Sequence, residues 1–206
     1  MNLRSRRALL VLAAVLVLGV VFAGAAVAQV RGSSFRVVRP VAAPEGCLER
    51  ARGEVEIHSI GPVEVMSVSV KGLPPNTKFA LFVTQLPKEP FGIAWYQGDI
   101  QTDESGEDKG YFIGRFSEET FAIAPDSGPA PVVHDEGPFP DASSNPAFGP
   151  IHTFHLGLWF QSPRAARQAG CPNTVTPFDG DHRAGIKALS TRNFSDDRGP
   201  LREVGS

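Results

Sequence analysis

The sequence predicts an all-β protein of mainly antiparallel strands, arranged as an immunoglobulin-like or jelly-roll-like β-sandwich with one short helix near the C-terminus. Short stretches of alternating polar and apolar residues recur along the chain, separated by turns rich in Gly, Pro, Asn and Asp. Only one segment carries helix signals, and it is too short to cross between parallel strands. These observations exclude a parallel α/β architecture.

The strands are predicted in chain order from this alternation. Glu54 to His58 alternates strictly, as a strand with one wet face does. Val63 to Lys71 moves its apolar residues from one face to the other near Val65 and Met66, which predicts a β-bulge there. Lys78 to Gln85 follows a Pro-rich turn and is expected to form a hairpin with that strand. The remaining predicted strands are Ile93 to Thr102, Tyr111 to Phe116, Ile151 to Phe160 and Ala184 to Leu189, with a polar loop reversing the first two.

The predicted helix lies between Ser162 and Gly170. Ser162 is a capping residue, Pro163 suits the first helical position, and Gly170 suits the position after the last turn. We expect a β-sandwich domain over residues 47–192, preceded by an irregular leader at 29–46 and followed by a polar tail at 193–206. Residues 124–150 form a long loop rich in Pro and Gly, and such loops are often functional.

The N-terminus predicts export. Three arginines precede an unbroken apolar stretch that ends in Ala26-Val27-Ala28, so residues 1–28 resemble a signal peptide cleaved after Ala28. The same stretch is long enough to cross a bilayer, and an uncleaved anchor is the one membrane association we consider. Either outcome places the rest of the chain outside the cytoplasm, in the cell envelope or the medium. Ser5-Arg6-Arg7 partly matches the twin-arginine signal, so the export route stays open between that pathway and the general secretory one.

The chain has two cysteines, Cys47 and Cys171, and both lie after the predicted signal peptide. In an oxidising compartment two thiols most simply form one disulfide. This bond would join the two ends of the predicted domain.

Composition and motifs narrow the function classes. The chain has 22 acidic and 20 basic residues, and three of the latter lie in the first 28 residues, so the mature part is mildly acidic. Without a cluster of Lys and Arg we expect no nucleic-acid partner. Hydrolase and phosphate-binding motifs are absent from the sequence, which favours a binding function over a catalytic one.

The acidic loop from Asp103 to Asp108 has oxygen ligands for calcium, but its spacing does not fit an EF-hand. If Asp103 takes the third position of that loop, Phe112 takes the twelfth and cannot bind the ion. We therefore predict a solvated loop tip.

Histidines are the candidate metal ligands. His152 and His155 are three residues apart, and His182 and His134 could join them around a divalent metal. Residues three apart on a strand point to opposite faces, so a shared ion requires a bulge or a helix. The alternative is that each histidine is a hydrogen-bonded core or surface residue, and we predict no cofactor on that basis.

Aromatic residues concentrate between Phe91 and Tyr96, beside glycines. Phe91, Trp95 and Tyr96 could line a binding surface for a carbohydrate or a partner. The alternative is that one of Trp95 and Tyr96 belongs to the core, because neighbours on a strand face opposite ways.

Several motifs together resemble exported actinobacterial proteins of unassigned function. They are Gly72-Leu73-Pro74-Pro75-Asn76-Thr77, Trp95-Tyr96-Gln97-Gly98-Asp99, His155-Leu156-Gly157-Leu158-Trp159-Phe160, Gly170-Cys171-Pro172 and Thr176-Pro177-Phe178-Asp179-Gly180. The resemblance implies export, and it implies no activity, cofactor or catalytic residue.

The sequence thus leaves two hypotheses. The first is an exported, non-catalytic β-sandwich that binds a surface, a polymer or a protein partner, with residues 124–150 as the expected contact segment. The second is a metal-binding module or metal-dependent enzyme centred on His152 and His155.

Overall fold

The structure is a computed structural model that describes residues 32–41, 43–61, 63–89, 91–92, 94–116, 118–119, 151–176 and 184–204. For residues 118, 119, 151, 152 and 203 it describes the backbone alone. The described residues belong to one compact unit, Arg31–Ser206. The predicted signal peptide and the loop at 124–150 lie outside them. Within the described ranges no helix is long and apolar enough to span a membrane.

The all-β prediction is confirmed. The strands are β1 (Gly32–Val38), β2 (Arg52–Ile60), β3 (Val63–Lys71), β4 (Lys78–Thr84), β5 (Ala94–Gln101), β6 (Asp108–Gly114), β7 (Glu118–Glu119), β8 (Ile151–His152), β9 (His155–Phe160) and β10 (Lys187–Ser190). Eight of them form one sheet in the order β5-β4-β9-β10-β1-β2-β3-β6, and β7 pairs with β8. Every pairing is antiparallel.

The eight-stranded sheet curls until its two edge strands, β5 and β6, lie beside each other without a hydrogen-bonded ladder among the described residues. The result is a nearly closed, barrel-like sheet, and the predicted sandwich of two packed sheets is not confirmed. Alternation of polar and apolar residues along a strand shows only that one face of the sheet is buried and the other is exposed to solvent, and this holds for a barrel as well as for a sandwich. The order of pairing decides between them, and it depends on contacts distant in sequence.

The main core fills the inside of this sheet. Phe79 and Phe160 pack there with their ring centroids 4.8 Å apart. Burying a side chain of this size stabilises the fold by about 1.5–3 kcal/mol. The largest fully buried side chains of this core are Phe79, Phe116, Phe160, Ile57, Met66, Leu81, Ile100, Leu156, Leu158, Leu189 and Leu201.

The predicted hairpin of β3 with β4 is wrong, although both strands are present. β3 pairs with β2 and β6, and β4 pairs with β5 and β9, so β3 and β4 are not neighbours. The polar loop does reverse the chain between β5 and β6, which lie beside each other at the two edges of the curled sheet without a hydrogen-bonded ladder among the described residues. The hairpins that form are β2 with β3 and β4 with β5.

The predicted bulge near Val65 and Met66 is also wrong, because the β2–β3 register runs without a shift. The change of apolar parity has another cause: Glu64 takes an inward position that the pattern would assign to an apolar residue. Its side chain is only 3 % exposed. One carboxylate oxygen accepts a hydrogen bond from the backbone N–H of Phe116 at 2.9 Å, and the other lies 3.6 Å from Nε of Arg115. A buried carboxylate is tolerated when it is paired in this way.

The predicted irregular leader at 29–46 contains a strand of the sheet. β1 pairs with β2 along its whole length, and Phe35 and Val37 point into the core. The predicted polar tail is packed as well. It contains a 3₁₀ turn (Pro200–Glu203), and Leu201 and Val204 are buried.

The helix and the disulfide are confirmed. Helix α1 (Pro163–Gln168) begins after Ser162, whose hydroxyl accepts a hydrogen bond from the N–H of Ala165. Gly170 follows the helix with a φ of 75°, which a residue without a Cβ adopts at low cost. Cys171 then meets Cys47, with their Cα atoms 5.0 Å apart.

Candidate functional site

Strand β9 has two apolar faces. Leu156, Leu158 and Phe160 point into the core, whereas the alternate residues His155, Gly157 and Trp159 point to the outside of the sheet. Trp159 is nevertheless only 1 % exposed. Other segments of the chain must therefore cover the outer face at this point.

A second apolar cluster lies on that outer face. The ring of Trp159 meets the ring of Phe91 edge-on with centroids 5.3 Å apart, and the ring of Phe82 at 5.6 Å. Gly157 makes room for it, because a Cβ at that position would lie 2.4 Å from the Trp159 ring. The buried members of the cluster are Ala80, Phe82, Phe91, Ala94, Trp159 and Ala184.

Beside this cluster the surface opens into a cleft of about 1170 Å³, here called the Trp159 cleft. The lining residues at the end of β9 and the start of β10, which are Trp159, Ile186 and Lys187, are here called its floor, and the four other lining segments, which are distant in sequence, are called its walls. The residues that line the walls are Pro40, Val41, Ala43 and Pro44; Pro87, Lys88, Glu89 and Phe91; Pro172, Thr174, Val175 and Thr176; and Arg192, Phe194, Ser195 and Asp196.

Hydrogen bonds and one ion pair brace the walls. The guanidinium of Arg39 donates to the carbonyls of Ala43 and Pro44 at 2.7 and 2.9 Å. The Nε of Arg192 donates to the carbonyl of Arg39 at 2.9 Å, which joins the first wall to the last. Lys88 pairs with Asp196 at 3.1 Å, joining the second wall to the last. These contacts join three of the four walls to one another.

His155 supports the last wall from beneath. Its Nε2 lies 3.1 Å from the carbonyl oxygen of Asp196, which can only accept, so Nε2 carries the hydrogen and donates it. Its Nδ1 lies 3.0 Å from the hydroxyl of Thr191. Burial lowers the pKa of His155, which favours the neutral ring in this position.

Lys187 is the one cation on the floor of the cleft. A register shift between Lys187 and Leu189 marks a bulge in β10, and bulges redirect side chains next to functional sites. The Nζ of Lys187 donates to the carbonyl of Pro87 at 2.5 Å and lies 4.5 Å from the centroid of the Phe91 ring and 5.7 Å from that of Trp159. Burial, partly opposed by Glu89 and assisted to a smaller extent by Arg192, lowers the pKa of Lys187 to about 8.

The predicted metal ligands are not brought together by the described part of the chain. His134 and His182 lie outside it, and of His152 only the backbone in β8 is described. His155 already uses both ring nitrogens in hydrogen bonds. Among the described residues no group of three or more His, Cys, Asp or Glu side chains could hold a metal ion. The metal site stays a prediction.

The three predicted aromatic residues separate. Trp95 packs against the inner core, Tyr96 is exposed on the outer face against Phe82, and Phe91 is buried beside Trp159. Phe91 alone belongs to the Trp159 cleft.

The acidic loop between β5 and β6 is a compact turn. Oδ1 of Asp103 accepts hydrogen bonds from the N–H of Ser105, the hydroxyl of Ser105 and the N–H of Glu107, at 2.7–3.0 Å. The Ser105 hydroxyl and these N–H groups lower the pKa of Asp103. The turn also receives the 72–77 loop, since the N–H of Leu73 donates to the carbonyl of Gly106.

Sequence reasoning missed Trp159 and Lys187 as site residues. Lys187 could have been found from its place in the apolar run from Ala184 to Leu189, because a charged side chain in a buried strand must be paired or hydrogen-bonded. The walls of the cleft could not be predicted from the sequence, because their four segments are distant along the chain and come together only in the folded protein.

In comparisons with known proteins, no family model and no curated protein sequence matches this chain. What fold and site together define is a class: an all-β, barrel-like domain with one disulfide and an apolar cleft on the outer face of its sheet.

Proposed function

We propose that this protein is exported and acts outside the cytoplasm as a non-catalytic binding protein, with the Trp159 cleft as its binding site. The observation that carries the proposal is the cleft itself: a concave, mainly apolar surface with a lysine on its floor. Small-molecule sites in proteins combine an apolar lining with a few polar groups that orient the ligand.

The bracing of the walls supports binding. A site that is open before the ligand arrives loses less conformational entropy on binding than one that must be ordered. The ion pair between Lys88 and Asp196 and the hydrogen bond between Arg192 and Arg39 provide such preorganisation.

Export is supported by two independent features. Residues 1–28 have the arrangement of a signal peptide. Cys47 and Cys171 form a disulfide, and such bonds persist mainly in oxidising compartments.

Binding is tested with Nile red, a neutral apolar dye whose fluorescence rises in an apolar site. Val175 lines the mouth of the cleft and is 49 % exposed, so Val175→Glu places a charge there without disturbing the core. Ile60 is 60 % exposed and does not line the cleft, which makes Ile60→Glu the matched control. We expect saturable dye binding that Val175→Glu weakens at least tenfold and Ile60→Glu leaves unchanged. Equal binding by both variants, or none by the wild type, overturns the proposed site.

Export is tested by expressing the full chain in a bacterial host and sequencing the N-terminus of the protein recovered outside the cytoplasm. We expect the product to begin at Gln29. Retention of the full-length chain in the cytoplasm contradicts the proposal.

A further inference from the structure

We propose that the Trp159 cleft binds a small organic anion, with a carboxylate head at Lys187 and Arg192 and an apolar body against Phe91 and Trp159. This inference rests on the proposed binding function and names the chemical class of the ligand.

Among the described residues, no acidic side chain is in direct contact with Lys187, and the exposed Glu89 acts on it only from a distance. None of the salt bridges among the described residues involves Lys187. Its Nζ is held by a backbone carbonyl and by the faces of two aromatic rings, which orient an ammonium but do not neutralise it. A carboxylate entering the cleft would be able to pair with this ammonium directly, which the described acidic residues do not do.

The other charges of the cleft favour the same sign of ligand. Lys88 and Asp196 form a pair and neutralise each other. Two cations, Lys187 and Arg192, then remain with one exposed carboxylate, Glu89, which acts on Lys187 more strongly than Arg192 does. The charges of the cleft therefore leave an excess of one positive charge, which a ligand with one negative charge compensates and a cationic ligand would increase.

The rest of the lining indicates an apolar body. Aromatic rings, aliphatic side chains and prolines surround the Lys187 ammonium. An apolar ligand that covers them removes apolar surface from water, which favours binding. A volume of about 1170 Å³ suits a single small molecule. The apolar lining residues include Phe91, Trp159 and Ile186, with Val175 at the mouth.

The test uses three probes with the same ten-carbon chain: decanoate, 1-decanol and decyltrimethylammonium. Binding is followed by the fluorescence of Trp159 in a Trp95→Phe background, which leaves one tryptophan in the chain. At pH 7 we expect decanoate to bind at least tenfold more tightly than decanol, and decyltrimethylammonium to bind more weakly than decanol.

Two variants assign the preference to its residues. Lys187→Met keeps the length and apolar stem of the side chain and should abolish the preference for decanoate while leaving decanol binding within about twofold. Arg192→Gln should reduce the preference partially. Lys109→Met is the matched control, because Lys109 also lies over an aromatic ring, that of Tyr111 at 5.4 Å, but is exposed and outside the cleft.

The pH dependence of decanoate binding distinguishes a charge effect of Lys187 from a purely structural role of this residue. The preference for decanoate should fall between pH 7 and pH 10, as Lys187 loses its proton, and Lys187→Met should show no such fall. Equal binding of the three probes, or an unchanged preference in Lys187→Met, overturns the ligand class while the binding function stands. If no probe binds and Nile red does not bind either, the proposed function itself fails.

Discussion

Replacing Lys187 by Met should make the unliganded protein more stable at neutral pH. Burial lowers the pKa of Lys187 from its ordinary 10.5 to about 8. At about 1.4 kcal/mol for each tenfold change in the protonation equilibrium, holding the charged form in the fold costs about 3 kcal/mol at pH 7. Met removes that cost but loses the hydrogen bond to Pro87, worth about 1 kcal/mol. The net gain in the free energy of unfolding should be about 2 kcal/mol.

The sign of the pH dependence follows from the same pKa. Between pH 8 and pH 10.5 the unfolded chain binds more protons at Lys187 than the folded chain does, so the stability of the wild type rises with pH in this window. The advantage of Lys187→Met should therefore be full below pH 8 and shrink as the pH rises towards 10.5.

The assay is urea denaturation of the wild type, Lys187→Met and Lys109→Met at pH 7 and pH 10. Lys109→Met should change the free energy of unfolding by less than about 0.5 kcal/mol, as exposed substitutions do. A loss of stability in Lys187→Met at pH 7, or an advantage that does not shrink at pH 10, would refute the reasoning. A gain would show that the fold carries a destabilising charge, as binding sites often do.

Three further perturbations test other parts of the structure. Changing Cys47 and Cys171 together to Ala should lower the free energy of unfolding by up to about 5 kcal/mol, because the disulfide spans 124 positions of the chain. Denaturation of the wild type with and without a reductant measures the same loss of stability. Burial lowers the pKa of His155, so below pH 6.5 the unfolded chain binds more protons than the folded chain, and the stability of the wild type should decline as the pH falls through 6.5. Thermal unfolding of His155→Gln over the same pH range should show a shallower decline, and an equal slope would contradict the buried, neutral state of His155. Gly157→Ala should displace the Trp159 ring, since the new Cβ would lie 2.4 Å from it, and should both lower Tm and weaken Nile red binding; normal binding by this variant would argue against the ring as the floor of the site.

Local chemistry made most of the strands and the helix predictable. Glu54 to His58 alternates strictly, and Ser162 with Pro163 starts helix α1, because side-chain alternation and capping preferences act over a few residues. β1 was missed because its alternation is short: only Phe35 and Val37 point inward. The pairing of strands was not predictable from the pattern, since alternation is the same whichever neighbour a strand adopts.

The residues of the site were harder to predict from the sequence than the strands and the helix were. Phe91 was identified from its aromatic neighbours, but its partners Trp159 and Lys187 come from strands β9 and β10, which are distant in sequence. The orientation of Lys187 depends on the bulge in β10, and the pattern placed a bulge in β3 instead. His155 was singled out as a polar ring in an apolar run, and its hydrogen bonds to Thr191 and Asp196 give it a supporting position under the cleft wall.

The chain contains two tryptophans, and they lie on opposite faces of the sheet: Trp159 in the cleft and Trp95 against the inner core. A ¹H–¹⁵N spectrum of the protein therefore contains two indole N–H signals, which Trp95→Phe assigns. Titration with decanoate should move the Trp159 signal progressively and leave the Trp95 signal in place. Movement of the Trp95 signal alone, or of neither, would contradict a binding site on the outer face of β9.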